Sequence, residues 1–172
     1  MAEVPRPMSD VIDRESYSDE YLLDILKNNR VVAMVGASPN WNRPSYFAMK
    51  YLQSKGYRVV PVNPVALGQD ILGEKVYASL KDIPFKVDVV DIFRKSEAVP
   101  PIVDDAIAIG AKVVWMQIGV RHDGAAAKAE RAGLKVVMNR CMKIEFARLS
   151  GELSWSGINS GIISSKRRKL IA

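Results

Sequence analysis

Residues 31–62 read VVAMVGASPNWNRPSYFAMKYLQSKGYRVVPV, and this stretch decides the fold. Val31 to Val35 is a continuous apolar run, the pattern of a strand covered on both faces as in a parallel sheet. Ser45 to Lys55 carries apolar residues at helical spacing, and Gly56 offers that helix a C-terminal stop. Tyr57 to Val62 is again rich in β-branched residues and reads as a second strand. Strand, helix and strand in this order make a βαβ unit, whose strands run parallel.

The same alternation extends outward in both directions. Upstream, Leu22, Leu23, Ile25 and Leu26 repeat at helical spacing, with Ser18 as N-cap and Asn28-Asn29 as the stop. Downstream, Val87 to Phe93 predicts a strand, Val99 to Ile109 a helix ended by Gly110, and Lys112 to Ile118 a further strand. Asp123 to Ala132 predicts a helix closed by Gly133, and Lys135 to Met138 the last core strand. The prediction is an α/β fold: a single Rossmann-like domain with an open parallel sheet, helices on both faces and right-handed crossovers. The domain is expected over residues 17–150, between an N-terminal arm (1–16) and a basic C-terminal tail (151–172).

Composition agrees with one ordinary globular core. Of 172 residues, 48% are hydrophobic and 26% charged, which argues against disorder and against a fibrous or disulfide-scaffold class. A net charge of +6 favours anionic partners, a phosphorylated cofactor or a nucleic acid. Much of that excess sits in Lys166 to Lys169, a tail without interleaved aromatics, so it reads as solvated charge and nucleic acid is the weaker reading. A protein partner or a homo-oligomer stays open. The single cysteine, Cys141, excludes an internal disulfide and a multi-cysteine metal site, and it suits a reducing compartment. The first residues lack a basic start followed by an apolar run, and no stretch approaches the roughly 20 apolar residues of a membrane span. A cytoplasmic location without a membrane partner is therefore expected.

In open parallel sheets the ligand lies beyond the carboxyl ends of the strands, so the loops there carry the functional reading. The first runs Gly36-Ala37-Ser38-Pro39-Asn40-Trp41-Asn42-Arg43-Pro44. Gly36 permits close backbone approach, Ser38 and Asn42 offer short polar groups, and Arg43 brings a permanent, planar cation suited to phosphate. Pro44 suits the first turn of a helix whose free N–H groups attract anions. A branched residue at Gly36 is expected to block the ligand while leaving the fold largely intact. The dinucleotide fingerprint G-x-G-x-x-G is missing, as is the P-loop G-x-x-x-x-G-K-[ST]. After the second strand stands Val62-Asn63-Pro64, without the acid that would take the ribose hydroxyls of NAD. An NAD-type dinucleotide therefore remains only as an alternative ligand.

Together VGASPNWNRPSYFAMKYLQSKGYRVVPVNP (35–64), ILGEKVYASLKDIP (71–84), VDVVDIFRKSE (87–97) and VVWMQIGV (113–120) resemble the small CoA-binding-domain proteins. These are relatives of the CoA-binding domain of the succinyl-CoA synthetase alpha subunit. The resemblance spans about Val31 to Leu149, and GINSGIISSKRR (157–168) is similar to that group too. It implies coenzyme A, free or as acyl-CoA, as the ligand. Ser38 and the loop through Asn42 and Arg43 would then meet its phosphates, with Gly36 and Ala37 also among the cofactor-binding residues. Asn63, Pro64 and Val65 would lie beside the adenosine, Phe93 and Arg94 would border the cofactor, and Gln117, Ile118 and Gly119 would flank the pantetheine arm.

A catalytic constellation is harder to find. The synthetase depends on a phosphorylated histidine in a second domain; here the one histidine, His122, reads as a surface turn residue. Ser96 reads as the N-cap of the next helix. Gln117 ends an apolar strand and needs a partner, from backbone or from ligand. Cys141, beside Arg140 and Lys143, opens the alternative of thiol–disulfide chemistry or another CoA-dependent reaction. A non-catalytic CoA or acyl-CoA binder, acting as carrier, sensor or regulatory module, is the leading expectation.

Overall fold

A computed structural model describes residues 16–151; the proposed arm (1–16, but for its last residue) and tail (but for its first) lie outside the described residues. Helix α1 (Asp19–Asn28) is followed by β1 (Val31–Val35), α2 (Pro44–Ser54) and β2 (Arg58–Val62). A short hairpin, β3 (Asp70–Ile71) and β4 (Glu74–Lys75), precedes β5 (Val89–Ile92). Then come α3 (Val99–Ala108), β6 (Val113–Met116), α4 (Asp123–Arg131), β7 (Lys135–Val137) and α5 (Met142–Leu149). The main sheet has the order β2-β1-β5-β6-β7, every pair parallel. The chain is thus an α/β domain with a five-stranded parallel sheet flanked by helices.

The local signals act as read. Ser18 caps α1, its hydroxyl accepting from the Tyr21 N–H at 3.1 Å, and Pro44 occupies the first turn of α2. Gly56 takes a left-handed φ of 92° just beyond that helix. One sheet face packs Val32, Met34, Val89, Val113 and Trp115 against α1, α2 and α5; the other packs Ala33, Val90, Ile92, Val114 and Met116 against α3 and α4. Strands buried on both faces are what a continuous apolar run demands.

Two elements depart from the predicted alternation. The connection from β2 to β5 holds the hairpin and short 3₁₀ turns instead of an α-helix. Helix α5 was not anticipated; it lays Met142 in the core and sets Phe146 edge-on to Tyr57, with ring centroids 5.8 Å apart. Ser96 is no helix cap either: it opens a 3₁₀ turn before α3, and its hydroxyl accepts from the Arg121 N–H at 3.0 Å.

Each sheet edge takes hydrogen bonds from outside the sheet, which blunts it as a template for strand pairing. At β7 the Tyr21 hydroxyl donates to the Val136 carbonyl at 2.9 Å, and the Tyr17 hydroxyl accepts from the Met138 N–H at 2.9 Å. At β2 the Tyr77 N–H donates to the Pro61 carbonyl at 3.0 Å.

Connections leave β1 and β5 in opposite directions: α2 carries the chain to β2 at one edge, while β6 and β7 extend the other side. The strand order therefore reverses between β1 and β5, and a crevice opens above their carboxyl ends.

Candidate functional site

At that reversal the backbone is packed tightly. The Gly36 N–H donates to the Val62 carbonyl at 2.8 Å and the Phe93 N–H to the Val35 carbonyl at 2.8 Å. Gly36 has φ 88°, and a Cβ placed there would stand 2.4 Å from the Phe93 carbonyl oxygen. Here the expectation for Gly36 is corrected: the missing side chain makes room for the Phe93 backbone just past β5, so a branched residue would strain the fold itself.

Beyond Gly36 the loop is held by side chains. The Asn63 amide donates to the Ala37 carbonyl at 2.9 Å, while its oxygen accepts from the Val65 N–H at 3.0 Å. Ser45 accepts from the Ser38 N–H at 3.1 Å, and the Ser38 hydroxyl accepts from the Asn40 N–H at 3.1 Å. Asn63 thus spends one end of its amide on the Gly36 loop and the other on capping its own turn, Pro64–Ala66.

Four segments meet around a cleft of about 760 Å³: the Gly36 loop with Ser38, the start of α2 at Arg43 to Ser45, Phe93 to Lys95 after β5, and Gln117 to Val120 after β6. Arg43, Arg94 and Lys95 line it, and none of them pairs with a carboxylate among the described residues. The positive end of the α2 dipole opens onto the same space. A second, more apolar cavity of about 240 Å³ lies against Val35, Val62, Pro64, Leu80 and Ile102, and Arg94 borders both cavities.

Gln117 and Ile118, predicted inside a strand, stand just past its end in a turn. The Val120 N–H closes that turn onto the Gln117 carbonyl at 2.8 Å, with Gly119 at φ 85°. The Gln117 side-chain oxygen is buried with no hydrogen-bond partner among the described residues. A buried amide oxygen in that state costs about 1–3 kcal/mol unless something donates to it.

Of the residues singled out in the sequence, Gly36, Ser38, Arg43, Phe93, Arg94, Gln117, Ile118 and Gly119 line the larger cleft, and Pro64 lines the smaller. Ala37 is buried, Asn42 is exposed outside the lining, and Val65 is 90% exposed and lines neither cavity. Cys141 occupies the N-cap position of α5 without a side-chain capping bond, is 7% exposed and does not line the cleft. His122 is the N-cap of α4, its Nδ1 accepting from the Ala125 N–H at 2.9 Å. Ser45, Lys95 and Asn139 escaped the sequence reading. Ser45 sat inside a predicted helix, and Asn139 carries no local signal beyond its tolerance of a left-handed backbone.

The chain is similar to several known proteins. The chain is 34% identical over 124 residues to the uncharacterized protein YneT of Bacillus subtilis, covering 72% of this chain and 90% of that one. A solved structure, a hypothetical protein from Pyrococcus horikoshii, superimposes with a TM-score of 0.75 at 43% identity, over 87% of this chain and all of that one (100%). The ADP-forming acetate–CoA ligase II of Archaeoglobus fulgidus is 30% identical over 138 residues; they make up 78% of this chain and only 20% of the ligase. The CoA binding domain model matches residues 30–147, and the chain belongs to that family.

Proposed function

We propose that the chain binds coenzyme A or an acyl-CoA across the two cavities that Arg94 joins. The observation that carries the reading is the cleft itself: Arg43, Arg94 and Lys95, without a carboxylate partner among the described residues, beside a buried, unpartnered Gln117 oxygen, all at the strand-order reversal. CoA has the complementary parts. Its phosphates match the three cations and the α2 N-terminus. Its adenine suits the apolar cavity at Pro64, and an amide N–H of the pantetheine arm suits the Gln117 oxygen. The family and the ligase relative, whose name specifies CoA, support the same ligand.

NAD fits less well. The residue after β2 is Asn63, which has no carboxylate and whose amide is already engaged at both ends. The role that follows is a binding module (carrier, sensor or regulatory partner) in a cytoplasmic setting. Among the described residues no helix is long and apolar enough to cross a membrane.

Isothermal titration tests the reading. CoA should bind, with NAD and ATP markedly weaker; no heat with CoA would overturn it. Arg94→Ala should weaken CoA by about 1.5–3 kcal/mol, the scale of a charged hydrogen bond, and leave the phosphate-free fragment pantetheine unaffected. Equal losses for both ligands would contradict a phosphate role.

A further inference from the structure

The turn after β6 is fixed from outside by one residue. Asn139, just beyond β7, holds a left-handed φ of 57°, rare for a residue with a side chain. Its side-chain oxygen accepts from the Gly119 N–H at 2.8 Å, and its own N–H donates to the Val120 carbonyl at 3.2 Å. Next to it the Arg140 N–H donates to the Met116 carbonyl at 3.3 Å, and the Arg140 carbonyl accepts from the Trp115 indole at 2.9 Å. The Asn139-Arg140 segment therefore clasps residues 115–120 by four hydrogen bonds.

One of these bonds decides the orientation of a peptide group. The turn Gln117-Ile118-Gly119-Val120 is closed by the Val120 N–H, and Gly119 at φ 85° has the third-position geometry of a type II turn. Types I and II differ by a flip of the central peptide, here Ile118–Gly119. In a trans peptide the N–H and C=O point in opposite directions. With the Gly119 N–H turned toward Asn139, the Ile118 carbonyl is turned away from it. β7 lies on one side of β6 and β5 on the other, and Ile118 lines the same cleft as Arg94 and Gly36. No hydrogen bond to the Ile118 carbonyl is recorded among the described residues.

We propose that Asn139 is a positioning residue of the ligand site, locking the Ile118–Gly119 peptide so that the Ile118 carbonyl joins the Gln117 side-chain oxygen as an acceptor for the amides of a pantetheine arm. The proposal rests on the CoA reading. It assigns the turn a ligand class, N–H donors on an extended chain. It also separates the site functionally, with acceptors after β6 for the amide arm and cations after β1 and β5 for the phosphates.

Asn139→Gly tests it, because glycine keeps the left-handed backbone unstrained while deleting the acceptor. Asn139→Asp restores an oxygen at the same place on a residue that also tolerates that backbone. Affinities are read by titration with CoA and with adenosine 3′,5′-bisphosphate, which carries phosphates but no pantetheine; thermal midpoints are read alongside. Asn139→Gly should weaken CoA by about five- to tenfold, the net worth of one or two hydrogen bonds, with the bisphosphate changed less than about twofold. Asn139→Asp should recover most of the CoA affinity. Unchanged CoA binding in Asn139→Gly, equal losses for the two ligands, or no rescue by aspartate would each overturn the positioning role. Wild-type protein that binds the bisphosphate but gains nothing from the pantetheine arm would overturn it too. Wild-type protein that binds neither ligand would bring down the CoA reading and this inference with it.

Discussion

Replacing Asp91 with asparagine should change the pH dependence of stability strongly. Asp91 lies in β5 between Met34 and Trp115, is 0% exposed, and neither carboxylate oxygen has a hydrogen-bond partner among the described residues. Burial pushes its pKa up to about 8, since the low-dielectric interior penalises the charged form. In the unfolded chain the same group ionises near its ordinary value of about 4. Between those values the native state holds a proton that the unfolded state has lost, so stability falls as pH rises. The slope is about 1.4 kcal/mol per pH unit, which accumulates to roughly 4 kcal/mol by pH 7. Asparagine cannot ionise, and its shape matches the neutral acid. The stability difference between the two proteins should therefore grow in favour of the Asp91→Asn variant from about pH 4 to about pH 8 and then level off. Urea denaturation at several pH values checks this, and parallel curves for the two proteins would refute it.

Among the glycines of the described residues, Gly36→Ala is expected to be the most damaging substitution. A methyl group there meets the Phe93 carbonyl at 2.4 Å, a backbone atom just past the end of β5 that cannot rotate aside. It also forces a side chain onto φ 88°, a conformation that costs roughly 1–2 kcal/mol on its own. With the overpacking added, the loss should reach about 2–5 kcal/mol. Gly56 is the internal control: its φ of 92° is similar, yet an added Cβ meets nothing within 4 Å. Gly56→Ala should cost only the conformational part. Similar losses at the two sites, measured by the same denaturation, would show that the Phe93 contact at Gly36 carries no energy.

How much of this was legible in the sequence depends on the range of the interaction involved. The parallel sheet could be read because its cause is local: Val31 to Val35 is apolar without interruption, Val87 to Phe93 is mostly so, and Gly56, Gly110 and Gly133 mark helix ends one by one. Helix α5 was missed because Met142 and Phe146 are spaced for a helix over only two turns, and its burial against Tyr57 comes from far along the chain. The candidate cleft was read in outline, since a loop after a buried strand announces itself. The partners of each residue were not. Asn63 and Val65 looked alike as neighbours of a ligand, yet one clamps the Gly36 loop and the other projects into solvent. Gly36 itself looked like an opening for a cofactor; the constraint on it comes from Phe93, a residue 57 positions away that only the folded sheet brings close.

The central claim is that this cleft holds CoA. Native mass spectrometry of the intact chain with a small molar excess of CoA tests it most directly, with Arg94→Ala as the control. The wild type should carry the mass of one CoA per chain, retained when NAD is added as competitor, and the variant should carry much less. A wild-type spectrum containing only the free chain, or one in which CoA is held equally by the variant, would contradict the account.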